Sequence, residues 1–285
     1  MNTQSNLEVN MNYRFVEKSG IQMIEISPVV DTGAAFAYCS TRHGGISTGP
    51  TAHMNLNIYK KLDVENGQKN LKLFSQAIGT SYDKLITNRL IYGTDTVRRV
   101  TASDLIDIFD EPSAPHADGL VTNDPEITLY LYAADCAIIQ FVDPVQKVVG
   151  CCHAGWKGTM TNIIQNTAAA MHDDYDSEYE NIIAVILPSI CKKCFEVGED
   201  VATEFEKFGY GEFVDRSLEK PHVDLNAANA QNLLNAGIRP ENIHRIDLCT
   251  CCREDLFHSY RRGPVQSNGL HLNGMNGMFI RVNPD

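Results

Sequence analysis

Between Ile127 and Cys152 the chain carries three apolar runs, Ile127–Ala133, Ala137–Val142 and Lys147–Cys152, which read as three successive strands with short connections. This is the densest part of the sequence, and its flanks decide the fold class. Ahead of it, Ile21–Ile26 and Ala35–Thr41 read as strands. Val64, Leu71, Phe74 and Ile78 fall near helical spacing, with Gly79 as a stop. Leu85–Tyr92 and Val97–Thr101 read as paired strands joined by a turn at Gly93, and the acidic stretch 103–117, with Pro112 and Pro115, reads mostly as loop. Beyond it, Gly158–Met171 reads as a helix with Ile163, Ile164, Thr167, Ala168 and Met171 on one side. Ile182–Leu187 is a buried strand ended by Pro188. Glu199–Phe208 and Ala227–Ala236 read as helices, the second stopped by Gly237, and Ile243–Leu248 and Met278–Val282 as strands. The order is mixed, without repeat, long linker or shift in composition. It predicts one α+β domain over 13–285, with mixed β-sheets flanked by helices, after a disordered lead-in over 1–12.

With 36 acidic and 24 basic residues the net charge is −12, which argues against a nucleic-acid partner, since such binding needs basic surface. An anionic substrate stays open, because a few arginines set the sign of a single pocket. The most apolar stretch, Leu129–Val142, contains Asp135 and is too short to span a membrane. The first residues, MNTQSNLEVN, lack the basic and apolar regions of a secretion signal, so a cytoplasmic location is expected. Nine cysteines are then reduced thiols, for which metal-binding or nucleophilic roles outrank disulfides.

Three segments concentrate reactive residues: Ala133–Cys136; Cys151–Gly158, which holds the only Trp, Trp156; and Asp247–Cys252 with Phe257–Arg262 after it. Cys136 lies at a strand break beside Asp135, and His153 near the end of the next strand but one. A thiol and an imidazole brought together suit a Cys–His nucleophile pair or a zinc or copper site; a buried Cys and a structural His are the plain alternative. Cys191-Lys192-Lys193-Cys194 and Cys249-Thr250-Cys251-Cys252 form two C-x-x-C pairs, a pattern of structural zinc that also fits buried or redox-sensitive thiols.

Asp135-Cys136 and Cys152-His153-Ala154-Gly155-Trp156-Lys157-Gly158, with Thr41-Arg42-His43-Gly44-Gly45-Ile46-Ser47 ahead of them, resemble the YfiH-type laccase-domain family. Ala117–Thr122, Cys194–Gly198, Cys249-Thr250 and Ser259–Arg262 match in the same order, so the resemblance runs from about Tyr13 to Val282. It implies a compact α+β fold, similar also to the catalytic domain of cytotoxic necrotizing factor toxins, with one mononuclear site that holds zinc or sometimes copper. The implied activity is a purine nucleoside phosphorylase acting on adenosine, inosine and methylthioadenosine with phosphate as co-substrate. Adenosine deaminase activity comes with it, and polyphenol oxidase and peptidoglycan-editing names are also attached to the family.

Carried over by residue, the family's Cys ligand falls on Cys136 and its second His on His153. Its first His position, in a Gln-Val-His-Gly motif, is occupied here by Tyr92 in Leu90-Ile91-Tyr92-Gly93. A phenol, with a pKa of about 10, is a poor zinc ligand at neutral pH. Among His43, His53 and His116, His116 is the favoured substitute.

Arg42, beside Gly44 and Gly45, together with Lys157, Arg261 and Arg262, are candidates for phosphate, which guanidinium groups bind in fork geometry. Asp118 and Asp135 are candidate general acids, and Trp156 and Phe195 offer faces to a purine. The competing readings are a Cys–His thiol hydrolase or deamidase, as in editing of a peptidoglycan precursor, and a binding module whose site has decayed. A multicopper oxidase is rejected, since its clusters need many imidazoles and the sequence has no His-x-His pair.

Overall fold

The protein, seen in a computed structural model, is described over residues 11–59, 62–89, 93–110, 115–267, 269 and 271–284. In chain order the elements are β1 (Arg14–Lys18), β2 (Ile21–Glu25), α1 (Ser27–Val30), β3 (Ala35–Ser40), α2 (Val64–Ala77), β4 (Leu85–Ile86), β5 (Val97–Arg99), β6 (Gly119–Thr122), β7 (Thr128–Ala133), β8 (Ala137–Asp143), β9 (Val148–Ala154), α3 (Trp156–Met160), α4 (Ile163–Tyr175), β10 (Ile183–Ile186), α5 (Glu199–Lys207), β11 (Val214–Asp215), β12 (His222–Val223), α6 (Leu225–Asn235), β13 (Ile243–Arg245) and β14 (Asn276–Val282).

Two six-stranded mixed sheets form the domain, in the orders β1-β2-β3-β14-β7-β4 and β13-β10-β8-β9-β6-β5. Alternation along the strands sets the layers, since successive side chains point to opposite faces. In β7, Leu129 and Leu131 pack with Ile138 and Val142 of β8 in the core between the sheets. Tyr130 and Tyr132 point the other way and pack with Leu71 and Phe74 of α2. On the far face of the second sheet, Ile139 and Phe141 pack with Ile163, Ile164 and Met171 of α4. Full burial of each such side chain contributes roughly 1.5–3 kcal/mol. The sheets also touch through one buried polar bond, Gln140 Nε2 donating to Phe279 O at 3.0 Å. Among the described residues no helix is long and apolar enough to cross a membrane.

The single α+β domain expected from the sequence is the fold observed, with several local corrections. Among the described residues, the strands expected over Leu85–Tyr92 and Val97–Thr101 do not pair with each other. The strand that starts at Leu85 ends at Ile86 and lies parallel to β7, whereas β5 lies parallel to β6 in the other sheet. Because β4 and β5 lie in different sheets, Gly93 is no hairpin turn between them. The helix expected over Gly158–Met171 starts earlier, at Trp156, and is broken in two. Asn162 between α3 and α4 adopts left-handed backbone at φ 60, which interrupts the helical hydrogen bonds. The three central strands are present, but β7 belongs to one sheet and β8 to the other. Their connection turns at Asp135, φ 88. The lead-in expected over 1–12 lies outside the described residues up to position 10.

Candidate active site

β8 and β9 pair antiparallel with Ala137 opposite Ala154 and Ile138 opposite His153, so Cys136, just before β8, comes beside the end of β9. The two reactive groups converge on Gly155. A methyl group added there would stand 3.1 Å from Cys136 Sγ and 3.2 Å from His153 Nε2. His153 is buried and Cys136 is partly exposed.

The imidazole is held from behind. Asp118 is fully buried, and its Oδ2 lies 4.0 Å from His153 Nδ1 while accepting the N–H groups of Gly93 at 2.7 Å and Thr94 at 3.1 Å. Burial acts to raise the Asp118 carboxyl, but the nearby His153 ring and the Gly93 N–H outweigh it and hold the group below the usual carboxylate range. Burial acts to lower the His153 imidazole. The neighbouring Cys136 and the Asp118 carboxylate 4.0 Å away overcome that effect and push it up to about 9. A buried acid, an imidazole and a thiol thus stand in a row, with Asp118 behind the ring and Cys136 in front of it.

Asp135 does something else. Its Oδ1 accepts from Thr250 Oγ1 at 2.6 Å, and its Oδ2 accepts from Ser259 Oγ at 2.9 Å and Arg261 N at 2.7 Å. With every near donor directed at it, the carboxylate ties the 250 and 259–261 loops to the β7–β8 crossing. The general-acid role expected for Asp135 is replaced by this anchoring role. Asp118 likewise faces His153 and the Gly93 and Thr94 N–H groups, a position that does not bring it to the cleft as the expected general acid.

The Cys–His pair opens into a cleft of about 520 Å³ whose aromatic lining is Tyr132, Trp156, Phe195 and Tyr260, with Arg261 at its edge. Trp156 and Phe195, expected to offer faces to a purine, do line this cleft. Tyr132 was missed because it reads as one more apolar strand residue, and Tyr260 because its motif carried no assigned role. Arg261 Nη1 donates to Cys194 O at 3.2 Å and Nη2 to Glu196 O at 2.7 Å, and other guanidinium donors remain.

Arg42 is not brought to this cleft. Its Nε donates to Ala52 O at 3.1 Å, Nη2 donates to the same oxygen, and Nη1 donates to Glu254 O at 3.0 Å. It borders a separate hollow of about 220 Å³ with His258 and Arg262. Gly44 and Gly45 do not cradle a ligand either. A side chain on Gly44 would meet Gly20 O at 2.7 Å, and one on Gly45 would meet His53 O at 2.3 Å, so the glycines let backbone pass against backbone. The phosphate-binding role expected of these three residues has no support in their positions. Arg262 also turns away, donating to Thr250 O, Cys251 O and Phe257 O.

Cys136 and His153 offer one sulfur and one nitrogen donor, a set that fits zinc or copper, with Asp118 as the carboxylate behind the ligating imidazole. Tyr92, at the family's first His position, lies outside the described residues. His43, His53 and His116 are exposed, and His116 lies in a bridge with Arg89. Among the described residues no third His, Cys, Asp or Glu closes a ligand set with Cys136 and His153, so His116 does not fill the gap.

The chain is 34% identical over 234 residues to a Deinococcus radiodurans protein named purine nucleoside phosphorylase, covering 81% of this chain and 85% of that one. It is 33% identical over 199 residues to a protein of an unidentified prokaryote named adenosine deaminase RL5, covering 67% of this chain and 74% of that one. Its fold is similar to the crystal structure of the hypothetical protein YfiH of Bacillus licheniformis, with a TM-score of 0.82 at 28% identity, covering 94% of this chain and 99% of that one. Residues 36–275 match the family described as multi-copper polyphenol oxidoreductase laccase, and the chain belongs to that family.

Proposed function

We propose that the chain is a purine nucleoside phosphorylase whose cleft takes adenosine, inosine or methylthioadenosine together with phosphate. The observation that carries this reading is the aromatic cleft ending on the Cys136–His153–Asp118 chain. Trp156 and Phe195 give a purine flat faces, and Arg261 gives phosphate a cation. In the reaction a phosphate oxygen bonds to the ribose C1′ as the C1′–N9 bond breaks. The bonding pair leaves with the purine, which takes up one proton. His153, held protonated by Asp118 and Cys136, supplies that proton, and Asp118 positions the ring. The names of the relatives point the same way.

In a metal-loaded form Cys136 as thiolate and His153 as neutral imidazole would instead hold a zinc or copper ion, with Tyr92 at the remaining family position, and the ring would then not donate the purine's proton. The chemistry such an ion supplies is activation of water, which adenosine deamination requires. The reading carries a cytoplasmic setting, where these thiols stay reduced.

Chromatography of adenosine, inosine and methylthioadenosine reactions, with and without phosphate and before and after chelation, tests it. Phosphate-dependent release of free base is expected. No turnover, with or without added zinc, overturns it. The convergence of Cys136 Sγ and His153 Nε2 on Gly155 favours a second reading, a thiol hydrolase with Cys136 as nucleophile and His153 as base. Covalent labelling of Cys136 by a substrate-like amide or ester would support that reading.

A further inference from the structure

Two loops, one of which lines the cleft through Ile190 and Phe195, bring four cysteines together. Cys191 and Cys194 follow β10, and Cys249 and Cys252 follow β13. Their four sulfurs all lie within 4.8 Å of one another. Cys191 Sγ is 3.9 Å and Cys194 Sγ 3.3 Å from Cys252 Sγ. A disulfide needs about 2.05 Å, so neither pair is bonded. A tetrahedral zinc ion with Zn–S bonds of about 2.3 Å holds its sulfurs roughly 3.8 Å apart, close to the spacing seen.

A second observation concerns the backbone. The N–H groups of Cys191 and Cys252 both point at Cys249 Sγ, each at 3.3 Å. Two donors from two different loops, aimed at one sulfur, suit a thiolate rather than a thiol. The adjoining hollow is bordered by Lys193, by Lys192 paired with Asp215, and by Arg245 paired with Asp247, with Asp224 beside them, so the two loops meet in surroundings of mixed charge.

We propose that Cys191, Cys194, Cys249 and Cys252 bind one structural zinc ion, separate from the Cys136–His153 pair, which clasps the loop that lines the cleft through Ile190 and Phe195 to the loop that carries Thr250. The first loop carries Phe195 into the cleft, and its Cys194 O and Glu196 O receive the Arg261 guanidinium. The second carries Thr250, whose hydroxyl donates to Asp135 beside Cys136. Among the described residues, the loops are joined directly through a short bridge, Thr250 N donating to Ser189 O at 3.1 Å, and through the sulfur contacts. The ion therefore holds Phe195, Arg261 and Asp135 in one frame.

The test separates this ion from any metal at the Cys136–His153 pair and needs no activity. The full chain with Cys136→Ser and His153→Ala is purified under reducing conditions, and its metal is measured by mass spectrometry. One tightly held equivalent of zinc is expected. Its release should follow titration of the remaining accessible thiols with an organomercurial, and cobalt substitution should give the intense visible bands of a tetrathiolate site. Adding Cys194→Ser and Cys252→Ser should remove the zinc. The organomercurial titration and the cobalt spectrum decide the matter if that variant does not fold. Absence of bound metal in the Cys136→Ser/His153→Ala chain, iron in place of zinc, or a Cys194–Cys252 disulfide under reducing conditions would overturn the proposal.

Discussion

Asp118 and His153 are joined twice: His153 N donates to Asp118 O at 2.7 Å, and Asp118 Oδ2 lies 4.0 Å from His153 Nδ1. The main-chain bond fixes the register of the 118 segment against β9, and the side-chain contact then needs no further adjustment. Since a carboxylate behind a functional imidazole sets its charge and orientation, Asp118→Asn should lower the His153 pKa from about 9. If His153 donates the proton, activity falls as pH rises through that pKa, so the alkaline limb of the kcat profile moves to lower pH in the variant. A loss of about 10- to 100-fold in kcat is expected, as for other carboxylate partners of functional histidines. A pH profile that keeps its alkaline limb would assign Asp118 to folding alone.

Gly155 has ordinary backbone, φ −65, so alanine is permitted there by the main chain. The constraint is contact with Cys136 Sγ and the His153 ring, at 3.0–3.2 Å. Gly155→Ala should therefore push the pair apart at a stability cost of about 1–3 kcal/mol, typical of overpacking. Activity should fall far more than stability. Circular dichroism and thermal melting set beside kcat check this, and retained activity would show that the pair need not converge.

Asp135 combines left-handed backbone with three donors to one carboxylate. Asp135→Asn keeps the shape but replaces one acceptor oxygen with an NH₂ that faces donors. Asp135→Ala leaves Thr250, Ser259 and the Arg261 N–H without their acceptor. Each buried unmet group costs roughly 1–3 kcal/mol, so alanine should cost more than about 3 kcal/mol, and asparagine less. Urea unfolding of the two variants gives the order, which fails if alanine proves the milder change.

The parts of this fold legible in the sequence were those with a local cause. β7 to β9 announced themselves by apolar runs, α2 by its spacing, and the end of α6 by Gly237. Cys136 and His153 were legible because their neighbours carry a shared pattern. The sheet assignments were not, because a strand such as Leu85–Ile86 reads the same whichever sheet receives it. Arg42 misled for a related reason: an arginine among glycines looks like an anion site, and only the tertiary fold shows Ala52 O and Glu254 O receiving its donors. The roles of Thr250 and Ser259 rest on a contact with Asp135 more than a hundred positions earlier in the chain, which no local signal carries.

His258 gives a prediction independent of catalysis. It is 3% exposed, its Nε2 donates to Met54 O at 3.2 Å, and its ring packs against Gly274. Burial first, then the charges of Arg42 and Arg262, with His53 adding to them, lower its pKa from 6.5 to about 3. The folded state therefore holds the neutral ring. Above pH 6.5 neither state takes a proton, and the contribution to stability is complete. As pH falls below 6.5 the unfolded chain binds a proton that the folded chain refuses, and stability drops until pH approaches the folded value of about 3. At about 1.4 kcal/mol per pH unit, the loss at pH 5 is roughly 2 kcal/mol. His258→Gln keeps an amide donor for Met54 O and removes the titration, so its stability should change less than that of the native chain between pH 6.5 and pH 5. Urea unfolding of both proteins across that range measures the difference, and parallel curves would show that His258 is not the group that makes the fold acid-sensitive.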